Sequence, residues 1–225
     1  MLKVSEVFTS IQGEGVTAGV PSTFVRLATC NLQCTWCDTK YTWDWTRFDP
    51  KKEITLVEDD VLLAQIEAQN VVVTGGEPLL QQGALVPFCE SLVARACRIE
   101  VETNGTLVPL DALAAVVAQW NVSPKLGSSG NGLAARERPD ALAWFSRAPN
   151  AWFKLVVDEP SALAEVDDFV TRHAVPRERV LLMPEGTTAA TLAARSTWLV
   201  HACRERGFRF ATRLHVILWG DERGR

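Results

Sequence analysis

The chain has 225 residues, 47% hydrophobic and 22% charged, with a formal net charge of -4. These are globular values that supply a core without disulfide staples, and the negative balance excludes a broad basic surface for nucleic acid. No stretch approaches the roughly 18 apolar residues of a membrane span, and MLKVSEVFTSIQGEG lacks the apolar run of a secretory signal, so a single cytoplasmic domain over 1–225 is expected.

In chain order, short apolar runs predict strands at 22–28 (STFVRLA), 71–74, 98–102, 120–122, 151–157, 179–183 and 213–218 (RLHVIL). Helical periodicity falls between them, near 57–69, 83–96, 111–119, 136–147, 162–173 and 189–206. Strand–helix alternation of this kind predicts an α/β fold with a mostly parallel sheet. Six consecutive βα units make a partial, open barrel of about six strands, because closure takes eight.

Chemistry-bearing residues fall at the carboxyl ends of these strands. ATCNLQCTWCDTK follows the first, TGGEP the second, ETNG the third, SPK the fourth and MPEG the sixth. The βα loops converge on that edge, so it is the expected active-site edge. Within the first strand Phe24, Arg26 and Ala28 share one face, opposite Val25 and Leu27. An arginine inside an apolar run needs a ligand or a partner, for which Glu100 and Glu102 on the third strand are available. By the same alternation Arg213 and His215 share a face of the last strand.

Cysteine use is uneven. Cys30, Cys34 and Cys37 form a C-x3-C-x2-C group, while Cys89, Cys97 and Cys203 are scattered through apolar helical segments and read as small buried hydrophobes. Three clustered thiolates leave one coordination position open in a four-ligand site. A histidine, His173, His201 or His215, would complete a structural zinc site and make the protein a binding module. No second paired motif accompanies it, whereas a four-iron cluster with one open iron explains the odd count directly.

The C-x3-C-x2-C spacing with Trp36 before the last cysteine resembles the signature of the radical S-adenosylmethionine (SAM) superfamily. Thr74-Gly75-Gly76-Glu77-Pro78 resembles its motif for the SAM amino group. That resemblance implies a radical SAM barrel carrying a [4Fe-4S] cluster on Cys30, Cys34 and Cys37, with SAM on the open iron. It also implies that Glu77 offers a compensating charge. FTSIQGEG (8–15), CDTKYTW (37–43), VETNGT (101–106), SPKLG (123–127) and the terminal RLHVILWG together resemble the 7-carboxy-7-deazaguanine synthase family, in matching order along nearly the whole chain.

This second resemblance implies a lyase that converts 6-carboxy-5,6,7,8-tetrahydropterin to 7-carboxy-7-deazaguanine with loss of ammonia, on the route to queuosine and other deazapurines. It implies substrate contacts at Ile11, Gln12, Gly13, Glu14, Arg26, Thr74 and His215. SAM contacts are implied at Trp36, Cys37, Asp38, Gly76, Glu77, Thr103, Asn104, Ser123, Pro124 and Lys125. A Mg2+ ion on Thr39, an electron donor such as a flavodoxin or ferredoxin, and a homodimer complete the expectation. Plainer roles stand beside these: Gln12–Gly15 and Asn104-Gly105 as turns, His215 as a core histidine, Lys125 as a surface lysine, and Thr39 as a cap on its own turn. A small glycyl-radical-enzyme activase is the nearest rival, and IQGEG with RLHVILWG argues against it.

Overall fold

The computed structural model describes residues 1–224. Among the described residues nine strands form one sheet: β1 (Leu2–Ile11), β2 (Pro21–Leu27), β3 (Thr55–Val57), β4 (Asn70–Gly75), β5 (Arg98–Thr103), β6 (Gln119–Val122), β7 (Ala151–Val157), β8 (Val180–Pro184) and β9 (Arg209–Phe210). Their order is β3-β1-β2-β4-β5-β6-β7-β8-β9. From β2 to β9 every neighbouring pair is parallel, and β1 and β3 add an antiparallel edge.

Alternation along the strands separates two environments. Val25 and Leu27, Val71 and Val73, Ile99 and Val101, Trp120 and Val122, and Phe153, Leu155 and Val157 join one apolar core with Phe88, Phe145, Phe169 and Leu199 of the covering helices. The opposite face carries Phe24, Arg26, Thr74, Glu102 and Lys154, which look into a cavity. At its amino end Glu100 is fully buried yet satisfied, accepting from Thr17 Oγ1 at 2.8 Å and Asn121 Nδ2 at 2.9 Å.

Several expected elements are corrected. Residues 213–218 are not a strand. The last strand is the short β9, and Leu214–Trp219 is a helix ended by Gly220 at φ 72°. Only Val216 of this helix is buried; Ile217, Leu218 and Trp219 are all exposed, so the strand-like composition has no alternating burial behind it. Residues 57–69 hold only a five-residue helix, Asp59–Leu63, preceded by β3. Residues 136–147 divide at Pro139, which opens a helix to Arg147 after a separate turn of helix at Leu133–Arg136. The helix begun at Asp111 stops at Ala114. β1 lay outside the expected strands because its residues are mostly half-buried on both faces and show no clean period.

Candidate active site

The expected loops meet at the carboxyl edge of the sheet around a cavity of about 510 Å³. Close backbone approach builds its cluster side. A Cβ on Gly75 would lie 2.1 Å from the Leu27 carbonyl oxygen, and one on Gly76 would lie 2.0 Å from that of Thr29. Only glycines let the end of β4 lie against the start of the cysteine loop, where Gly76 N donates to Leu27 O (3.0 Å) and Glu77 N to Thr29 O (2.8 Å). Across the loop, Thr35 N donates to Ser129 O (3.0 Å) and Gln33 N to Asn131 Oδ1 (2.9 Å).

Cys30, Cys34 and Cys37 all line this cavity. Each sulfur accepts an N–H: Cys30 from Leu32 N (3.4 Å), Cys34 from Asn131 Nδ2 (3.3 Å) and Cys37 from Trp43 Nε1 (3.4 Å). Burial pushes the Cys30 thiol up to about 12 and raises that of Cys34, with Lys125 acting the other way on both. Such thiolates need cations to form, and the N–H donors are placed to support them. Among the described residues no three Cys, His, Asp or Glu side chains gather as a mononuclear ion would require. Three irons of one cluster instead need sulfurs set apart around a shared void, and the donor set fits that group. His173, a possible zinc ligand, is committed elsewhere: its Nε2 lies 2.9 Å from Glu137.

Beside the cysteines, Trp36, Asp38, Thr39, Gly76, Thr103, Asn104, Ser123 and Lys125 also line the cavity. Trp36 Nε1–H is buried and has no hydrogen-bond partner among the described residues. Lys125 is not a free surface lysine: it donates to Ser123 O (2.7 Å) and Ser123 Oγ (2.9 Å) and lies 5.8 Å from the Trp36 ring centroid. Asn104-Gly105 is a turn, with Gly105 at φ 77° and Asn104 Oδ1 accepting from Thr106 N, and Asn104 faces the cavity as well.

Two expected positions stand apart. Pro124 is not among the lining residues, and Glu77 lies wholly inside the protein. Its carboxylate accepts from Leu79 N (3.0 Å), Thr103 Oγ1 (2.8 Å) and Asn104 N (2.7 Å). It is a strut tying β4 to β5, without an open side for a ligand's charge. Thr39 makes no side-chain cap to its turn; its hydroxyl lies 3.5 Å from Cys37 Sγ at the cavity wall.

The other half of the cavity is polar and charged. Ile11, Gln12, Gly13, Glu14, Arg26, Thr74 and His215 all line it. The His215 ring sits on Gly13, where a Cβ would come within 2.0 Å of its Nδ1. The arginine of β2 is paired with neither Glu100 nor Glu102: β1 brings Glu6 beside Arg26 in the ladder, and Nε donates to Oε1 at 2.6 Å. Glu102 instead accepts from Gln12 Nε2 (3.2 Å) and Thr74 Oγ1 (2.7 Å).

Sequence reasoning passed over several lining residues. Lys154, mid-strand in AWFKLVV, carries the same signal that singled out Arg26. It pairs with Glu14, which also accepts from Arg213 Nε at 3.0 Å. Arg213 further binds Asp38 and donates to Gly186 O (2.9 Å), joining three loops. Burial alone would raise the Glu14 carboxyl; Lys154 and Arg213 hold it well below the ordinary range. Burial keeps His215 below its usual value. Asn131, Glu6 and the tail residue Arg223 gave no sequence signal.

Residues 25–127 match the Radical SAM superfamily. A 7-carboxy-7-deazaguanine synthase of Pyrobaculum aerophilum is 40% identical over 228 residues, covering 100% of this chain and 97% of that protein. One from Halobacterium salinarum is 38% identical over 249 residues, covering 98% and 91%. The crystal structure of QueE from Escherichia coli superposes with a TM-score of 0.72 at 25% identity, over 95% of this chain and 94% of that one. Streptococcus suis SuiB shares the fold at a TM-score of 0.51 and 18% identity. Full-length identity to these relatives, together with the triplet of cysteines on one cavity, establishes that the chain belongs to the 7-carboxy-7-deazaguanine synthase family of radical SAM enzymes.

Proposed function

We propose that this chain converts 6-carboxy-5,6,7,8-tetrahydropterin to 7-carboxy-7-deazaguanine with release of ammonia. The observation that carries the reading is the union, in one cavity, of the three cysteines with the opposed charges of Arg26 and Glu14. Cys30, Cys34 and Cys37 would hold the cluster, and the Gly75–Gly76 edge, Trp36, Ser123 and Lys125 would receive SAM. So held, the cluster and SAM would supply hydrogen abstraction at the pterin C6.

The chain's own residues bind, orient and shield. Glu14, kept ionised by Lys154 and Arg213, accepts from the amidine edge of the pterin, with Gln12 and Thr74 beside it. Arg26 offers its guanidinium to the substrate carboxylate. His215, held neutral by burial, contributes one donor and one acceptor. Trp36, Val156 and Met183 give the cavity an apolar wall that excludes water from a reactive intermediate.

Four finer parts of the reading are also proposals. Thr39 is the single side-chain ligand of a Mg2+ ion shared with the substrate carboxylate, as suits a hard ion that keeps most of its waters. The protein is cytoplasmic, works as a homodimer, and takes electrons from a flavodoxin or ferredoxin. Among the described residues no helix is long and apolar enough to cross a membrane. The decisive assay mixes anaerobically reconstituted protein with SAM, dithionite, Mg2+ and the carboxylated pterin. A product with the mass and absorbance of the deazaguanine supports the reading, and unchanged pterin with an intact cluster refutes it.

A further inference from the structure

The last described residues return to the substrate half of the cavity, and Gly220 to Gly224 form part of its lining. Arg223 fastens this tail. Its Nε donates to Glu6 Oε2 at 2.9 Å, its Nη1 to Glu53 Oε2 at 3.0 Å, and its guanidinium carbon lies 3.8 Å from the Tyr41 ring centroid. The other oxygen of Glu6 accepts from Arg26 Nε at 2.6 Å and from Tyr41 Oη at 2.8 Å. One carboxylate therefore holds two guanidiniums, one from the cavity wall and one from the tail.

We infer that Arg223 is a positioning residue for substrate: it satisfies Glu6, so that Arg26 can turn its charge to an anionic substrate group. The inference rests on the proposed role of Arg26. Arg26 and Arg223 balance Glu6 and Glu53, so the quartet is neutral before a substrate carboxylate arrives. Without Arg223 the same place is already one charge negative, and the carboxylate must compete with an unsatisfied Glu6 for Arg26. Both glutamates of the quartet are largely shielded from solvent, at 15% and 17% side-chain exposure, which limits screening by water; Arg223 itself is 44% exposed, which keeps the effect moderate.

The test compares Arg223→Ala, Glu6→Gln, the double variant and Arg26→Ala, all reconstituted with cluster. Iron content and SAM binding should match the parent in Arg223→Ala. Its KM for 6-carboxy-5,6,7,8-tetrahydropterin should rise about fivefold while kcat stays within about twofold, the size of a partly exposed ion pair. Adding Arg223→Ala to Glu6→Gln should cost little further, because the carboxylate that holds Arg26 is already gone and Glu53, which remains, is bonded to Arg223 rather than to Arg26. A merely structural tail would give the same loss in both backgrounds, which overturns the inference. So does an unchanged KM in Arg223→Ala. If Arg26→Ala raises KM in that case, only the tail's role falls; if Arg26→Ala is equally indifferent, the assignment of Arg26 falls with it.

Discussion

Lys154 and Glu14 form a buried ion pair between residues 140 positions apart, linking the middle of β7 to the IQGEG loop. Burial opposes both charges, and each is kept by the other: Lys154 is raised and Glu14 lowered from its ordinary value. Removing Lys154 leaves Glu14 with Arg213, a cation it shares with Asp38, so its buried charge is only partly compensated. Lys154→Met should lose about 3 kcal/mol of stability and most substrate affinity. The Glu14→Gln/Lys154→Met double variant should recover much of the stability and none of the affinity. Urea unfolding and pterin binding separate the two outcomes; additive stability losses would mean the pair is not coupled.

Glu77 has the opposite character. Burial raises its carboxyl, and three donors from Leu79, Asn104 and Thr103 act against that rise. A glutamine presents only one acceptor oxygen and brings an amide with no acceptor waiting. Glu77→Gln should therefore cost about 1–3 kcal/mol through unsatisfied buried groups. Denaturant unfolding of the cluster-free protein measures it. Parent-like stability combined with lost SAM binding would instead make Glu77 a direct ligand.

His215 sets a pH dependence. Its folded pKa lies below the ordinary 6.5, so between those two values the unfolded chain binds a proton that the folded protein does not. Stability from this group is present above about pH 7 and is lost as pH falls through 6.5 toward the lowered folded value. The charged groups acting on it are Glu14, Arg213, Asp38 and Lys154. His215→Gln should flatten the fall in urea midpoint between about pH 7 and 5.5. An equally steep fall in the variant would assign the dependence to another group.

For the cysteines, Ala at Cys30, Cys34 or Cys37 should abolish the iron content, and Ala at Cys89, Cys97 or Cys203 should leave it intact. Cys97 is half-buried just past its helix, unlike the fully covered Cys89 and Cys203. Asn131→Ala removes the N–H that meets Cys34 Sγ, and hydrogen bonds to cluster sulfurs raise the reduction potential. The variant's cluster should bind normal iron and titrate at a lower potential, followed by its paramagnetic signal. A parent potential would show that the contact is not kept once irons are bound.

Thr39→Val keeps the side-chain shape and removes its oxygen. The variant should assemble its cluster and bind SAM, yet form product at a rate that no longer responds to added Mg2+. Full Mg2+ stimulation would place the ion elsewhere.

Much of this site was legible because its signals are local. The spacing of three cysteines, glycines that permit contact, and an arginine inside an apolar strand each speak without knowledge of the fold. Parity placed Phe24 and Arg26 opposite Val25 and Leu27, as the cavity and core do. What stayed hidden is set by partners remote in sequence. Glu6 could not be matched to Arg26 while β1, half-buried on both faces, looked like no strand. The donors that hold Glu77 in place, Leu79 N, Thr103 Oγ1 and Asn104 N, could not be read from the GGEP motif, because two of them lie 26 and 27 residues away. The composition of RLHVIL favours a strand, but no neighbour remains for it beyond β9, and Leu214 N donates to Gly13 O instead, at 2.8 Å, beginning a helix.

The three-way grip of Arg213 on Glu14, Asp38 and Gly186 has a consequence for the order of assembly. The cysteine loop and all nine strands precede it in sequence, so a growing chain holds the cluster loop before it holds the residue that ties these segments together. Until Arg213 leaves the ribosome, Glu14 and Asp38 lack their shared cation. The tie between the IQGEG loop, the cysteine loop and Gly186 is therefore added only after every strand-forming residue has been made.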